Sequence, residues 1–540
     1  MRRALLAAAA LGAGVTAAPA MAQTPESGQT RYVTPYIELG QGVSADLTND
    51  DSVTWTQVAV GVDAGVSSDR AEGQISARYD RRFPWSDRYG STDFLSGLAR
   101  GSVKLTPNFT IDAGALATRA RSDIRGAAPA AYGYDSANTA NLYSLYAAPQ
   151  FTADAGPAKV MASYRFGYTR ADTPSYTGIA ADAPRLDYFD ESTSHLAMAS
   201  VSVGAGRLAP FGITLSGGLE RDYAHQLSQR YSGDYARIDL VQPISRTFAV
   251  RGGIGYERIE ASQRDPLLDG NGNLVLDSDG RFITDPASPR RTAYRTNGLI
   301  YDGGIIWRPS TRLELQANAG YRYGGDTYFG SLSWQLTPDS ALRAVVYDGI
   351  TTFGRQMRDG IASLPTSFQT QPGGLGLQFT GCAFSAKPST DGAGECLNGT
   401  LQSISTAVYR ARGVDAVYTV TQGRTRIGVG AGYARRKLYA PRDVPGVTIY
   451  GANDQSYYGQ LFYSRALSRV SEIDANLFAS YYDSDLPQMD GVRSVGLTGA
   501  YQRRFGRIGV TAQLGLYGWD QRRMSSQWQA QGLLGARYSF

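Results

Sequence analysis

Histidine and cysteine are almost missing from this chain, with two of each in 540 residues. Imidazole chemistry therefore has few places to sit. No Ser or Asp constellation accompanies His195 or His225, and no G-x-S-x-G elbow occurs, so the sequence points away from an enzyme. No cofactor and no metal is expected. After the N-terminus no apolar run approaches the ~18 residues of a membrane-crossing helix. Charge of one sign is scarce too: 53 Lys and Arg stand against 48 Asp and Glu, a formal +5. That is too weak a bias to argue for nucleic-acid binding.

What the chain does have is tyrosine and glycine. Its 35 Tyr outnumber 18 Phe almost twofold, beside 63 Gly. Tyrosine favours strands and membrane–water interfaces. At the N-terminus Arg2 and Arg3 precede an apolar run from Ala4 to Ala18, and Ala20-Met21-Ala22 offers a small-x-small cleavage site before Gln23. The run is short of a span, so residues 1–22 read as a cleavable secretory signal. Its loss removes two arginines and takes the formal charge from +5 to +3. Residues 23–30 then form a short periplasmic segment ahead of one domain, 31–540.

That domain alternates polar and apolar residues with period 2, which predicts strands. Trp528, Ala530, Gly532, Leu534, Ala536, Tyr538 and Phe540 share one face of the last strand; Gln527, Gln529, Gln531, Arg537 and Ser539 share the other, with Leu533 the exception. Trp528 and Tyr538 are separated by roughly 23 Å along a membrane normal, for ~3.3 Å per residue and ~45° tilt. That is the height of an apolar band with an aromatic girdle at each edge. The same alternation recurs from Val160 to Tyr168, from Leu313 to Tyr321 and from Ile427 to Tyr433. Short turns, such as Thr106-Pro107-Asn108 and Gln422-Gly423-Arg424, alternate with variable loops at 84–92, 123–138, 172–190, 262–290, 356–402 and 439–453. Ten short turns imply an all-β, transmembrane antiparallel up-and-down barrel of about 22 strands, within 20–24.

The signal peptide, the hairpin repeat and the terminal Tyr538-Ser539-Phe540 resemble bacterial outer-membrane β-barrels. More narrowly, Ala115–Ser122, Tyr164–Tyr168 and Leu315–Arg322 look similar to the beta-barrel porin families associated with exopolysaccharide export. The resemblance implies residence in the outer membrane of a Gram-negative bacterium, contact with its lipid, and delivery by the barrel-assembly machinery, for which Tyr538 and Phe540 are the signal. No functional residue carries over, and nothing fixes an oligomeric state.

Inward-phase charges are the candidate pore lining: Arg78, Arg165, Arg251, Arg322, Arg343 and Arg426 as cations, Asp63, Glu72, Asp112, Glu257, Glu314 and Asp474 as anions. A transverse field could orient solutes between them; alternatively they only satisfy one another along a solvated wall. Asp269, Asn271 and Asn273 have calcium-loop spacing, but Leu274 stands where such a loop needs Gly and no Glu closes it. Hairpin turns at Asn271-Gly272 and Asp279-Gly280 fit better. Cys382 and Cys396, in one loop of an exported chain, read as a disulfide. With about eight residues ahead of the first strand there is no room for an N-terminal plug domain. The expected function is a channel for small solutes or exported polysaccharide. The alternative is a non-conducting scaffold whose loops bind a partner. Loop 356–402, rich in Gly and Pro, is expected to fold compactly and narrow the pore from the outer side.

Deleting Phe540 should leave the protein soluble or degraded in the periplasm. Fractionation of that variant with heat-modifiable barrel in the outer membrane would show that the assembly signal lies elsewhere.

Overall fold

The computed structural model describes residues 30–88, 90–121, 139–172, 189–370, 379, 381–401, 404–442, 444, 451–485, 491–521 and 526–540. The expected signal peptide, all but Thr30 of the segment 23–30, loop 123–138 and most of loop 172–190 lie outside them.

Strand-forming alternation is realised on both sides of the stretch between Thr351 and Val408. In order the strands are β1 Thr30–Asp46, β2 Asp51–Ser67, β3 Ala71–Pro84, β4 Thr92–Thr106, β5 Phe109–Arg121, β6 Thr139–Ala155, β7 Ala158–Asp172, β8 Glu191–Val203, β9 Gly212–Ala224, β10 Arg230–Pro243, β11 Phe248–Gln263 and β12 Arg291–Ser310. They continue with β13 Leu313–Arg322, β14 Gly325–Thr337, β15 Ser340–Thr351, the short β16 Cys382–Phe384 and β17 Gly394–Cys396, then β18 Val408–Gln422 and β19 Thr425–Tyr439. The last five are β20 Asn453–Ala466, β21 Ser471–Ser484, β22 Val492–Phe505, β23 Ile508–Gln521 and β24 Gln527–Ser539. Among the described residues all but β16 and β17 form one 22-stranded antiparallel sheet. It closes where β1 pairs with β24, from Tyr36 opposite Ser539 to Asp46 opposite Gln529. β1 begins at Thr30, one residue before the expected start of the barrel.

Ten short connections lie at one rim, each over a turn the sequence predicts, the longest being the eight residues between Val203 and Gly212; by the outer-membrane convention this rim is periplasmic. The long connections leave the other rim, together with short turns between β1 and β2 and between β13 and β14. Two faces follow from the alternation. Leu534 is 65% exposed and Leu514 72%, whereas Gln531 is 3% exposed. Large apolar residues such as Leu39, Leu145, Leu215, Leu299 and Leu497 are exposed all round the outside. Only lipid accounts for a belt of that extent. The chain is an outer-membrane β-barrel. Leu533, the exception in its strand, points inward and packs with Val53 and Trp55.

An ion network locks the closing seam from within. Arg78, fully buried, donates to Glu38 at 2.8 Å and to Asp80 at 2.8 Å. Arg537 of β24 reaches the same Glu38 at 3.1 Å and stacks over Tyr36 of β1 at 3.8 Å. First and last strands are thus joined by side chains as well as by the backbone ladder.

Above the membrane, loop 262–290 folds back on itself. Leu268 bridges Leu274, Leu276 bridges Phe282, and Pro266 bridges Thr284. Gly272 and Gly280 take positive φ at the two turns, 82° and 78°. The Asp269 carboxylate accepts the backbone N–H groups of Asn271 and Asn273, both at or near 2.8–2.9 Å. It is used as a turn cap.

Leu534→Arg should destabilise the refolded barrel by about 2–4 kcal/mol. Gln502→Arg, inward and beside Asp474 (3.2 Å), should leave it unchanged within error. Urea unfolding in micelles checks both; equal loss would mean the faces are interchanged.

Candidate functional site: the lumen and its plug

β15 and β18 are neighbours in the wall, with Thr351 opposite Tyr409. Between Thr351 and Val408 the described residues leave the wall and enter the lumen. This segment begins with a helix, α1 Phe353–Ser363, whose first free N–H groups are met by the Thr352 hydroxyl accepting from Arg355 N at 3.3 Å. Phe353, Met357 and Ile361 form one stripe at helical spacing. With Leu364 they pack on inward Leu98, Leu116 and Leu142 of β4, β5 and β6. These leucines break the polar rule of a lumen wall because a helix covers them.

The helix's other side carries charge to β9. Arg355 pairs with Glu220, and Arg358 reaches the same carboxylate at 2.7 Å. The Arg355 guanidinium lies over Tyr231 at 3.9 Å, and Thr352 donates to Asp222 at 2.6 Å. Asp359 binds Arg358 at 2.9 Å and Arg165 of β7 at 2.9 Å. Burial works to raise the Asp359 carboxyl; the Arg358, Arg165 and Arg355 guanidiniums outweigh it and hold it below the usual range. Arg100 of β4 donates to Leu364 O and Ala362 O, both at 3.0 Å, anchoring the helix's far end.

Beyond the helix the segment descends. Phe368 N–H meets Gln74 of β3 at 3.0 Å. Lys387 reaches Ser67 at 3.2 Å and Glu72 at 3.4 Å, beside the β2–β3 turn at the periplasmic rim. Opposite, Glu395 pairs with Arg343 of β15 at 2.9 Å, Ala393 O accepts from Thr419 of β18 at 2.6 Å, and Gln369 accepts from Arg426 of β19 at 2.9 Å. Burial raises the Glu395 carboxyl although Arg343 pulls it down. β16 and β17 pair through Cys382 and Cys396, which form a disulfide. The hairpin lies flat on β19: a Cβ at Gly430 would come within 2.6 Å of Cys396 Sγ, and one at Gly428 within 2.4 Å of the Phe384 ring. Phe384 also stacks on Phe462 of β20 at 6.0 Å. The segment therefore bridges the lumen from β2–β10 to β14–β20. It enters from the outer rim but reaches the periplasmic one, so the expectation of a constriction on the outer side alone, over 356–402, is too narrow. A lumen without a plug was the basis of the open-channel expectation; the plug comes from this internal segment.

The predicted charges all face inward, and each meets a partner. Arg165, Arg343, Arg426 and Glu72 hold the plug, as above. Arg78 lies in the closing seam. Arg251 meets Asp239 at 3.1 Å, Glu257 meets Arg322 at 2.7 Å, and Glu314 meets Arg308 at 2.8 Å. Asp474 accepts from Gln502 at 3.2 Å, Asp63 from Ser76 at 2.8 Å, and Asp112 pairs with Arg100 at 3.0 Å. The structure does not gather them into one ring. Glu220 and Asp222 of β9 with Arg355 and Arg358 of α1, a dense cluster between wall and plug, are absent from the sequence reading. One signal for the plug was present: Gly428, Gly430 and Gly432 fall on one inward face, where only a close neighbour needs the room. His195 faces outward at an aromatic girdle, 2.7 Å from the Tyr164 hydroxyl, and His225 sits by Asp190 at 2.9 Å in the outer loops.

No protein-family model matches the chain, and no curated protein matches it. The narrower resemblance to exopolysaccharide-export porins thus finds no support. Solved structures similar to the chain include the FrpB iron transporter from Neisseria meningitidis, at 11% identity and a TM-score of 0.41, covering 94% of this chain and 82% of that one. The siderophore receptor PiuA from Acinetobacter baumannii is similar at 10% identity and 0.41, covering 94% and 82%. The ferric-catecholate import receptor Fiu from E. coli K12 is similar at 10% and 0.40, covering 94% and 81%. Likenesses of this size say nothing of what this chain carries.

Glu220→Gln leaves Arg355 and Arg358 short of their shared carboxylate. The α1 docking should weaken by on the order of 3 kcal/mol. Amide exchange across 353–363 should speed while the strands stay protected; unchanged exchange would show that the ion pairs do not hold the helix.

Proposed function

We propose that the protein is an outer-membrane channel for small polar solutes whose lumen is governed by the 352–407 plug. The observation that carries this reading is the plug's seating: beside the apolar packing of its helix on β4–β6 and of its hairpin on β18–β20, hydrogen bonds and ion pairs tie it to opposite walls. The polar ties can be exchanged for water or for the polar groups of a solute at modest net cost, so a solute that competes for them can loosen the stopper. A second support is the inward wall of β21–β24, which presents Asn476, Thr498, Gln502, Thr511, Gln513, Gln529 and Gln531. Amides and hydroxyls suit neutral, hydroxyl-bearing solutes better than ions. The same wall supports the polysaccharide reading, but a plug tied to opposite walls favours a small solute over a wide polymer. A non-conducting scaffold draws on the same plug, taken as permanent.

Gly381 O accepts from Leu397 N at 2.6 Å, so the ends of the 382–396 hairpin are already adjacent. Excising residues 382–396 should preserve assembly and raise single-channel conductance in planar bilayers well above the wild type. If the excised protein inserts and stays silent, the scaffold reading stands.

A further inference from the structure

The inward charges are matched, and so are most arginines on the outward face near the outer rim. Arg170 pairs with Asp172 at 2.8 Å, Arg221 with Asp234 at 2.6 Å, and Arg295 with Glu260 at 3.0 Å. β18 and β19 depart from this. At their outer ends the outward positions are Arg410 and Arg412 on one strand, Arg435 and Lys437 on the next. The register sets Arg412 directly opposite Arg435, and Arg410 directly opposite Lys437. Like charges in cross-strand pairs repel. One carboxylate, Asp348, serves Arg410 at 2.7 Å and Arg412 at 3.1 Å. Among the described residues Arg435 has only the side-chain oxygen of Asn453 at 3.5 Å, and Lys437 has no carboxylate within ion-pair distance. Arg412, Arg435 and Lys437 are exposed.

Depth gives the patch its meaning. Two residues below Arg435 on the same face stands Tyr433, packed on Tyr457 at 4.8 Å between ring centres, and Tyr457 stacks on Tyr481 at 6.3 Å. This row is the outer aromatic girdle, with exposed Val429 and Leu461 beneath it in the lipid band. At ~3.3 Å per residue and ~45° tilt, Arg412 and Arg435 lie roughly 5 Å above the tyrosines and Arg410 and Lys437 roughly 9 Å, at headgroup height in the outer leaflet. An anion there would relieve two like-charge pairs at once.

We propose that the outer faces of β18 and β19 form a binding site for a phosphate-bearing lipid headgroup of the outer leaflet, held by Arg412, Arg435 and Lys437 with Arg410 beside Lys437. Arginine supplies forked donors to phosphate oxygens and lysine a point charge. The site is on the exterior of the wall and is independent of what the lumen conducts.

The test uses the full barrel in neutral detergent, with diphosphorylated lipid A, its dephosphorylated form and inorganic phosphate as probes, and native mass spectrometry as the readout. Diphosphorylated lipid A should bind, the dephosphorylated form should not, and Arg435→Gln/Lys437→Gln should weaken binding roughly thirtyfold. Arg493→Gln, an outward arginine of β22, should bind as the wild type does. Without lipid the double variant should be at least as heat-stable as the wild type, because a repulsion has been removed. Equal binding by the double variant, equal binding of the dephosphorylated lipid, or inorganic phosphate bound as tightly as lipid A would each overturn the proposal. A double variant less heat-stable in lipid-free detergent would overturn it too, since the cations would then serve the fold itself.

Discussion

In hydrocarbon a backbone N–H or C=O has no water to turn to, so every strand edge must find a partner. The rest of this molecule follows from that requirement. It forces the sheet to close, and closure rests on β1 meeting β24 in register. The Glu38, Arg78, Asp80 and Arg537 network sits at that seam, where a register slip would turn each side chain to the wrong face. Its charges are buried in the lumen wall, where losing one partner would strand the others.

Closure has a second effect. A ring of 22 strands is wide, and its inner face must be covered, hydrated or filled. Among the described residues it is filled chiefly from one connection of the barrel itself, that between β15 and β18. Leucines on β4–β6 and glycines on β19 shape the wall to receive a helix and a disulfide-closed hairpin. Charge does the rest, through Glu220 and Arg165 on one side, Arg343 and Arg426 on the other. Wall and plug therefore divide the work: apolar contact seats the helix, and ion pairs fix its orientation.

The wall was legible in the sequence to a degree that the plug was not. Period-2 alternation needs no knowledge of neighbours, so the faces of Leu534 and Gln531, and the ten short turns, could be read residue by residue. The helix Phe353–Ser363 could not. Its sequence carries Gly354, Gly360 and Ser363, poor helix formers, and its stability comes from strands up to some 260 residues away in sequence, as the Arg100 contacts illustrate. Partners of charged residues are hidden for the same reason. Arg358 and Glu220 are 138 residues apart; alternation turns Glu220 inward but says nothing of Arg358, which lies on the helix. The cation pairs on β18 and β19 depend on register across the 422–425 turn, so they too emerge only once the strands are aligned.

Both ends of the plug leave the wall at one place, between the adjacent residues of the Thr351–Tyr409 pair. A stopper tethered at one point on the rim never diffuses away from its seat. Its re-docking is an intramolecular event at high effective concentration, so modest individual contacts suffice to keep the lumen occupied. Occupancy is then set by the balance of these contacts against whatever competes for the same walls, and a solute that binds Glu220, Arg343 or Arg426 would compete for the plug's own anchor points.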